Sequence, residues 1–567
     1  MKVYKYLFKY WYFAILAPLC MVGEVFMDLL QPDFMSKIID KGVVGGDVQF
    51  ILKTGAFMIL FAILGGIGGV LSGVFTNFAA QNFGNDLRKN VYDRVIHLSF
   101  QQTDKFTVGS LVTRLTNDVT MVQNFVSIAL RMFVRSFFMF IGGIIMMLSL
   151  NLTYGLVMVF ILPLQVILVA VILKIVSPVF AVVQKKLDRV NSVVQENVSG
   201  ARVVKAYVRE EYEKNRFGVA NDELMDTNLK VARAMSIMGP IMMILMNIAI
   251  VAIIYIGGIS TVNGVGVGAI MAGVNYATMI VFSLMMISMM FQSVTRAKAS
   301  ADRISEVMDT LPVIRNGNLE QEEKNGAVSF KNVSFYYPGH KGRPVLNNIS
   351  FDVKKGETVA ILGVTGAGKT SLINLIPRFY DVTEGTVTVD GVNVKDYKLE
   401  DLRNRIGMVM QKSELYSGTI AENIRWGKED ATFEEVKKAA EIAQADDFIC
   451  GFKDGYDTII GEKGSSLSGG QKQRLSIARA IIKKPEIIIF DDSTSALDLG
   501  TEKRLHEALR ESLSDTTIIM IAQRVVSVKH ADKILVLDNG NIAAMGTHDE
   551  LIENSEIYKD IYNSQVH

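Results

Sequence analysis

Residues Gly363–Thr370 read GVTGAGKT, preceded by the apolar stretch ETVAIL (Glu357–Leu362) and followed by SLINLI (Ser371–Ile376). The octapeptide fits G-x-x-x-x-G-K-[S/T], and a strand-like run before it with a helix-like run after it is the context that this phosphate-binding loop requires. Glycines in such a loop let backbone N–H groups close around a β-phosphate at a helix N-terminus. Lys369 is then expected to reach the outer phosphates and the Thr370 hydroxyl to ligate Mg²⁺, with Gly363, Thr365, Gly366, Ala367, Gly368 and Ser371 completing the cradle. An ordinary glycine turn ahead of a helix would leave Lys369 without a role.

Two stretches further along belong to the same chemistry. PEIIIFDD (Pro485–Asp492) is an apolar strand that ends in two carboxylates, which puts Asp491 at the strand tip to hold Mg²⁺ through water. LSGGQ (Leu467–Gln471) opens the amphipathic KQRLSIARAII, so the helix N-terminus presents glycine N–H groups and the Ser468 hydroxyl to an anion. A Ser-Gly-Gly helix start is common by itself. Its place between a phosphate loop and an acidic strand is what makes it informative.

The N-terminal sequence is of another kind. Runs near 12–32, 52–80, 128–150, 153–176, 236–261 and 268–292 are long and apolar enough to cross about 30 Å of hydrocarbon as helices. Six such runs in the first 300 residues leave too little polar sequence to cover them in water, which excludes an ordinary soluble fold. Composition agrees, since half of the 567 residues are hydrophobic and only 21% are charged. Basic and acidic residues number 59 and 58, so no net field gathers nucleic acid and no nucleic-acid partner is expected. Cys20 and Cys450 fall in a predicted span and a predicted cytosolic region, and no disulfide is expected. Lys2, Lys5 and Lys9 precede the first run and no small-residue cleavage site follows, so the run reads as an uncleaved span rather than a signal peptide.

The connections between runs are unequal. Residues 83–127 and 177–235 are long, polar and rich in Lys and Arg, whereas Asn151–Leu152 and Ser260–Val267 are short. The bias of positive charge toward the inside puts the long connections and both termini in the cytoplasm. Their helical spacing with few breakers predicts that the spans continue as stalks. RNGNLEQEEKNG (Arg315–Gly326) marks a linker, after which strands and helices alternate. The expected division is 1–310 for the membrane part, 311–327 for the linker and 328–567 for the nucleotide-binding part.

Six apolar runs followed by GVTGAGKT, LSGGQ and PEIIIFDD resemble, over nearly the whole chain, an ABC exporter half-transporter. The resemblance implies an all-α membrane domain of six helices, of the type IV exporter kind, followed by an α/β P-loop nucleotide-binding domain. It implies a multi-pass protein of a bacterial cytoplasmic membrane that uses ATP and Mg²⁺ to export an amphipathic drug, lipid or peptide. It also implies a dimer in which each ATP lies between the phosphate loop of one chain and the Ser468, Gly469, Gly470 and Gln471 segment of the other. By the same resemblance Tyr337 in VSFYYP would stack on adenine, Gln411 would sense Mg²⁺ and the membrane domain, and Asp498 of SALD would face the partner. QQTDKF (Gln101–Phe106) and GARVVKAYVREEYEKNRF (Gly200–Phe217) resemble the family's coupling helices.

Two positions depart from the family pattern. Glu follows the acidic strand in competent sites and polarises the attacking water, whereas here Asp492 is one methylene shorter, and a displacement of about 1 Å can cost about 10²-fold in rate. The family has His at the γ-phosphate switch, where IAQRVV places Gln523, a donor that cannot carry a proton. Asp492 and Gln523 are the two catalytic positions, so the expectation is Mg-ATP binding with slow hydrolysis at this chain's own site. A different partner chain carrying Glu and His would supply the competent site that this LSGGQ completes, as in the degenerate-site subunit of bacterial heterodimeric multidrug exporters. Alternative readings are a homodimer with slow ATPase and an ATP-gated channel without pumping. A soluble ATPase acting on DNA would need long heptads and a basic groove.

Eleven of the 28 methionines lie between Met235 and Met290, side chains flexible enough to line a surface for varied apolar ligands. Glu24, Asp28, Arg131 and Arg135 lie in predicted spans, where charge is costly. They are expected to face protein or water, either binding a cationic substrate or pairing with one another or with the partner chain.

Overall fold

A computed structural model describes residues 2–261, 266–321, 325–339 and 342–566. The chain divides into two compact units, one formed by the chain up to Ile96 with Gly109–Thr310, the other by His97–Val108 with the chain from Leu311 onward.

Among the described residues of the first unit, six helices are long and apolar enough to cross a membrane: Val3–Val43, Val48–Ile96, Val108–Leu150, Leu152–Ser199, Glu210–Ile259 and Val267–Ile287. Hydrocarbon forces this choice, because a spanning segment must satisfy every backbone N–H and C=O internally. Each helix contains one of the expected runs, and the sixth continues to Asp309. The second and fourth helices have 49 and 48 residues, roughly 70 Å at helical rise and more than twice the hydrocarbon depth. Between the third and fourth, Asn151 caps the next helix by accepting from Thr153 N–H at 2.8 Å, which makes the short connection a sharp turn. Half of the connection Ser260–Val267, residues 262–265, lies outside the described residues.

Large apolar side chains such as Phe160 and Ile167 point outward, as a lipid-facing surface requires, while Tyr154, Ala249, Ile253, Tyr276 and Ile280 form a buried core. Tyr276 donates its hydroxyl to Leu29 O at 2.7 Å, so even this deep polar group is satisfied. Among the intramembrane charges, Arg135 binds Glu24 and, at 3.0 Å, Asp28, while Arg131 passes close to Gly73. The methionines divide, with Met242 and Met290 buried and Met243, Met271 and Met286 exposed. The side chain of Met289 lies outside the described residues.

The second unit is built on strands β1 (Val328–Phe335), β2 (Leu346–Val353), β3 (Thr358–Gly363), β4 (Glu384–Val389), β5 (Val392–Asn393), β6 (Ile406–Val409), β7 (Gly418–Thr419), β8 (Ile459–Ile460), β9 (Ile487–Asp491), β10 (Thr517–Ile521), β11 (Lys533–Asp538) and β12 (Asn541–Gly546). Six of them form one sheet in the order β12-β11-β3-β10-β9-β6, parallel except for the β12 edge. Strands β9 and β10 are buried at every residue, the continuous apolar pattern of a parallel sheet covered on both faces. Alternation along β9 sends Ile488 and Phe490 into one core and Ile487 and Ile489 into the other. A second sheet, β2-β1-β4-β5, is antiparallel.

The linker is not free chain. Gly317 N–H donates to Tyr397 O at 3.0 Å and Arg378 donates to Arg315 O at 3.0 Å, which pins residues 315–319 to the second unit. Residues 322–324 of the expected linker lie outside the described residues. Within the same unit, Phe100 of the short helix Phe100–Phe106 packs on Phe379 with ring centroids 4.4 Å apart, and Tyr380 Oη donates to Asp104 at 2.9 Å. Gln102 and Ser99, reciprocal caps of that helix, also bond Leu311 O at 2.6 Å and Ile314 N–H at 3.2 Å.

Candidate functional site

Strand β3 ends at the phosphate loop, whose glycines are demanded by geometry. Gly368 has φ 97°, and a Cβ there would stand 2.8 Å from Val345 O. At Gly363 a Cβ would stand 2.3 Å from Leu537 O. The backbone thus curls into a cradle that a side chain would fill, and the helix Lys369–Asn374 begins where it closes. Lys369 Nζ donates to Gly363 O at 2.7 Å and to Val364 O at 3.0 Å, so the ammonium lies across the mouth of its own loop. Burial holds its pKa below the usual lysine range, opposed by the charges of Asp492 and Asp491. Thr365 and Gly366 are exposed, while Ala367 is buried and anchors the loop.

Thr370 Oγ1 donates to Asp491 Oδ1 at 2.9 Å, bringing the hydroxyl and the strand-tip carboxylate to one point. Burial raises the Asp491 carboxyl above the ordinary carboxylate range, partly offset by that bond, and the neighbouring Asp492 adds to the rise. On the flank of the loop, Tyr337 Oη and Ser371 Oγ are 2.9 Å apart, and the Tyr337 ring stands edge-on to Tyr380. The phenol ring is therefore held in place before any base arrives.

Across from the cradle, Asp492 sits at φ 47°, a left-handed conformation that Asp tolerates better than most residues. Its Oδ2 accepts from Gln523 Nε2 at 2.6 Å and from Gln411 Nε2 at 3.2 Å. The two residues that depart from the family pattern are thus in direct contact.

A second group forms around the helix Gly469–Ile481. Ser468 caps it: its oxygen accepts from Gln471 N–H at 3.3 Å, and Gln471 Oε1 accepts from Ser468 N–H at 2.9 Å. Capping uses the serine oxygen and leaves its proton to be donated. Ser468, Gly469 and Gly470 line a cavity of 430 Å³ together with Leu497, Asp498 and Thr501. Asp498 caps the helix Leu499–Ser512 by accepting from Thr501 N–H at 2.9 Å, and that bond is the main reason its carboxyl titrates below its ordinary value. The structure therefore gathers Tyr337, Gly363–Ser371, Gln411, Asp491, Asp492 and Gln523 in one place, and Ser468–Gln471 with Asp498 in another.

Backbone donors around a glycine cradle, a cation over its mouth and an aromatic ring on its flank fit a nucleoside triphosphate. Comparison with known proteins carries this to a family. Residues 14–294 match the family model described as ABC transporter transmembrane region, and residues 346–495 match the one described as ABC transporter. The chain belongs to the ABC transporter family. This ABC transporter is 40% identical to the ATP-binding protein YfiB of Bacillus subtilis, over 100% of the chain and 98% of that relative. It is 33% identical to YgaD of the same organism, a putative multidrug export ATP-binding/permease protein, over 95% of the chain and 94% of the relative. It is also 31% identical to the ATP-dependent lipid A-core flippase of Vibrio vulnificus (strain CMCP6), over 97% and 94%. Among solved structures, a bacterial Atm1-family ABC exporter with ATP bound aligns with a TM-score of 0.81 at 27% identity, covering 99% of both chains.

The transporter accordingly has the type IV exporter fold: six apolar helices and then a sheet-containing ATP-binding domain. It is a multi-pass bacterial membrane protein whose ATP-binding domain lies in the cytoplasm, it couples ATP hydrolysis to transport, and it works as a dimer with a second half-transporter or a second copy of itself.

Sequence reading passed over two polar residues behind the switch. Glu502, with its side chain 6% exposed, accepts from Thr494 Oγ1 at 2.8 Å and Ser527 Oγ at 2.7 Å. Burial pulls its pKa up, but the nearby His506, 3.9 Å away, and the bonds from Ser527 and Thr494 outweigh it and hold the carboxyl below its usual value. A signal existed: Glu502, Leu505 and Leu509 share one helical face, so the leucines mark the position as buried. The other is Gln565, which carries no such mark by residue type.

Proposed function

We propose that this ABC transporter exports an amphipathic compound as one half of a heterodimer, and that its own ATP site is the slow one. The observation that carries this reading is the 2.6 Å bond from Gln523 Nε2 to Asp492 Oδ2, with Gln411 on the same oxygen. A carboxylate polarises attacking water only through an oxygen directed at that water. Here two amides occupy one oxygen of a side chain already one methylene short, and neither amide titrates. Binding is spared, because the backbone cradle and the contacts of Lys369, Thr370 and Asp491 lie outside the Gln411, Asp492 and Gln523 hydrogen bonds.

Thr370, Asp491 and Gln411 offer hydroxyl, carboxylate and amide oxygens, a hard donor set that suits Mg²⁺. The ion, when bound, would neutralise charge on the phosphates. The whole Ser468–Gln471 cap supports a role in completing a competent site whose partner chain supplies Glu and His. Names of relatives that mention multidrug export and lipid A-core, with the exposed methionines of the fifth and sixth helices, support an amphipathic drug or lipid as cargo, and a peptide is compatible. The docked helix Phe100–Phe106 would pass motion of the ATP-binding unit to the spans that flank it in sequence. Val203, Tyr207, Val208 and Tyr212 in the second loop are more than 60% exposed and would lodge against the partner's ATP-binding domain.

The test is to purify the full-length chain alone and together with a half-transporter from the same organism that carries Glu and His at the corresponding positions. The chain alone should bind Mg-ATP and hydrolyse it about 10²-fold more slowly than the mixed dimer. Turnover of roughly ten per second or more by the chain alone would sink the reading.

A further inference from the structure

The switch residue Gln523 is held from a direction that nucleotide chemistry does not require. Gln565, in the helix Glu556–Val566, donates from Nε2 to Gln523 O at 2.7 Å and accepts Val525 N–H on Oε1 at 2.7 Å. One side-chain amide thus engages a carbonyl and an N–H two residues apart, the pairing that a neighbouring strand would offer. Helix docking delivers that amide. Tyr558 is fully buried, Ile561 and Tyr562 pack on the same core, and Gln565 follows Tyr558 by seven positions on the same helical face. Tyr558 Oη also lies 2.7 Å from His548 Nδ1, which ties the helix to the one before it.

The other end of the segment is fastened too. Ser527 donates to the buried Glu502, which also receives Thr494, two residues beyond Asp492. The backbone from 523 to 527 is therefore clamped at both ends, and the Gln523 side chain extends from that fixed frame to Asp492.

We propose that Gln565 is a positioning residue of the ATP site. It sets the backbone of residues 523–525 so that the Gln523 amide meets Asp492 and a γ-phosphate oxygen at once. Gln565 itself touches neither phosphate nor Asp492 and acts only through the switch backbone. The inference deepens the proposed function and rests on its assignment of Gln523 to the γ-phosphate position. It makes the C-terminal helix a handle on discrimination between ATP and ADP, since only ATP reaches the switch.

The experiment measures ATP and ADP affinities, both with Mg²⁺, by displacement of a fluorescent nucleotide from the full-length chain and its Gln523→Ala, Gln565→Ala and Gln565→Glu variants. ADP binding uses the cradle alone and reports that the fold is intact. Gln565→Ala should change the preference for ATP over ADP about three- to tenfold, the scale of a lost hydrogen bond, in the same direction as Gln523→Ala and with ADP affinity unchanged. Gln565→Glu keeps the acceptor for Val525 N–H but sets an oxygen against Gln523 O, and should change the preference at least as much. If Gln523→Ala shifts the preference and both Gln565 variants leave it alone, the inference is overturned while the site assignment stands. Equal loss of ATP and ADP affinity in the Gln565 variants would make the residue a mere prop and overturn it too. If Gln523→Ala itself has no effect, the assignment of the switch falls and this inference with it.

Discussion

On one side of the phosphate site, nucleotide is held by the course of the backbone: Gly363 and Gly368 pass where a Cβ would meet a carbonyl oxygen, and Lys369 lies over the loop they form. On the other side stand three side chains, Asp492, Gln411 and Gln523, that hold one another. The difference teaches how the proposed function separates binding from hydrolysis. On that proposal, binding rests on main-chain geometry that two side-chain replacements do not touch, and hydrolysis on the identity and freedom of two side chains.

The comparison can be broken most decisively on its switch side. Replacing Asp492→Glu together with Gln523→His should raise hydrolysis by the full-length chain about 10²- to 10⁴-fold, the span usual for a general base. An ATPase assay that finds the double variant as slow as the parent would mean that these two residues do not set the rate. On the cradle side, Lys369→Ala should weaken ATP binding roughly 10²-fold, because charge-assisted bonds to the phosphates disappear. Titration with a fluorescent nucleotide checks this, and near-normal affinity would show that the backbone suffices without the cation.

Smaller effects sharpen the contrast. Glu502→Gln should destabilise the chain by about 1–3 kcal/mol at neutral pH, since a buried charged acceptor of two hydroxyls becomes neutral. The Glu502 carboxyl lies below its unfolded value, so its contribution is present above about pH 4.3 and fades as the pH falls through the folded value. Chemical unfolding of both proteins at neutral and acid pH should therefore show the gap closing on acidification, and a gap that widens would contradict the assignment. Smallest is a pH effect on the cradle. Asp491 titrates above the ordinary carboxylate range, and Mg²⁺ requires it ionised, so the Mg²⁺ dependence of ATP affinity should begin to fade above pH 4, where an exposed Asp stays charged. A Mg²⁺ dependence that is flat down to pH 4 would remove Asp491 from the metal's donors.

Much of this molecule was legible before any coordinates. Hydropathy marked all six helices because lipid permits one backbone solution for a long apolar run. The loop glycines were legible because only glycine fits the conformations the cradle demands. Pairing among the intramembrane charges was one reading open in the sequence, but the pairs were not: Arg135 is distant from Glu24 and Asp28, and only helix packing brings the guanidinium to both carboxylates. Burial of Glu502 could have been read from Leu505 and Leu509, yet its partners Thr494 and Ser527 come from the turn after β9 and from the short helix Val525–Val528. The helix Phe100–Phe106 joins the second compact unit although its neighbours in sequence join the first, because Phe379, Tyr380 and Leu311 supply its contacts.

By itself, then, the order of residues determined what is local or periodic: six spans, a phosphate loop, an acidic strand, a capped Ser-Gly-Gly helix, and the Asp492 and Gln523 that differ from the Glu and His the resemblance implies. Tertiary structure alone decided that those two residues bond each other, and that Gln565, 42 residues from Gln523, reaches the switch. The physical reason is range. Periodicity and turn chemistry act over a few residues and leave a mark in composition, while a hydrogen bond between distant side chains exists only once packing has removed the alternatives that water offers.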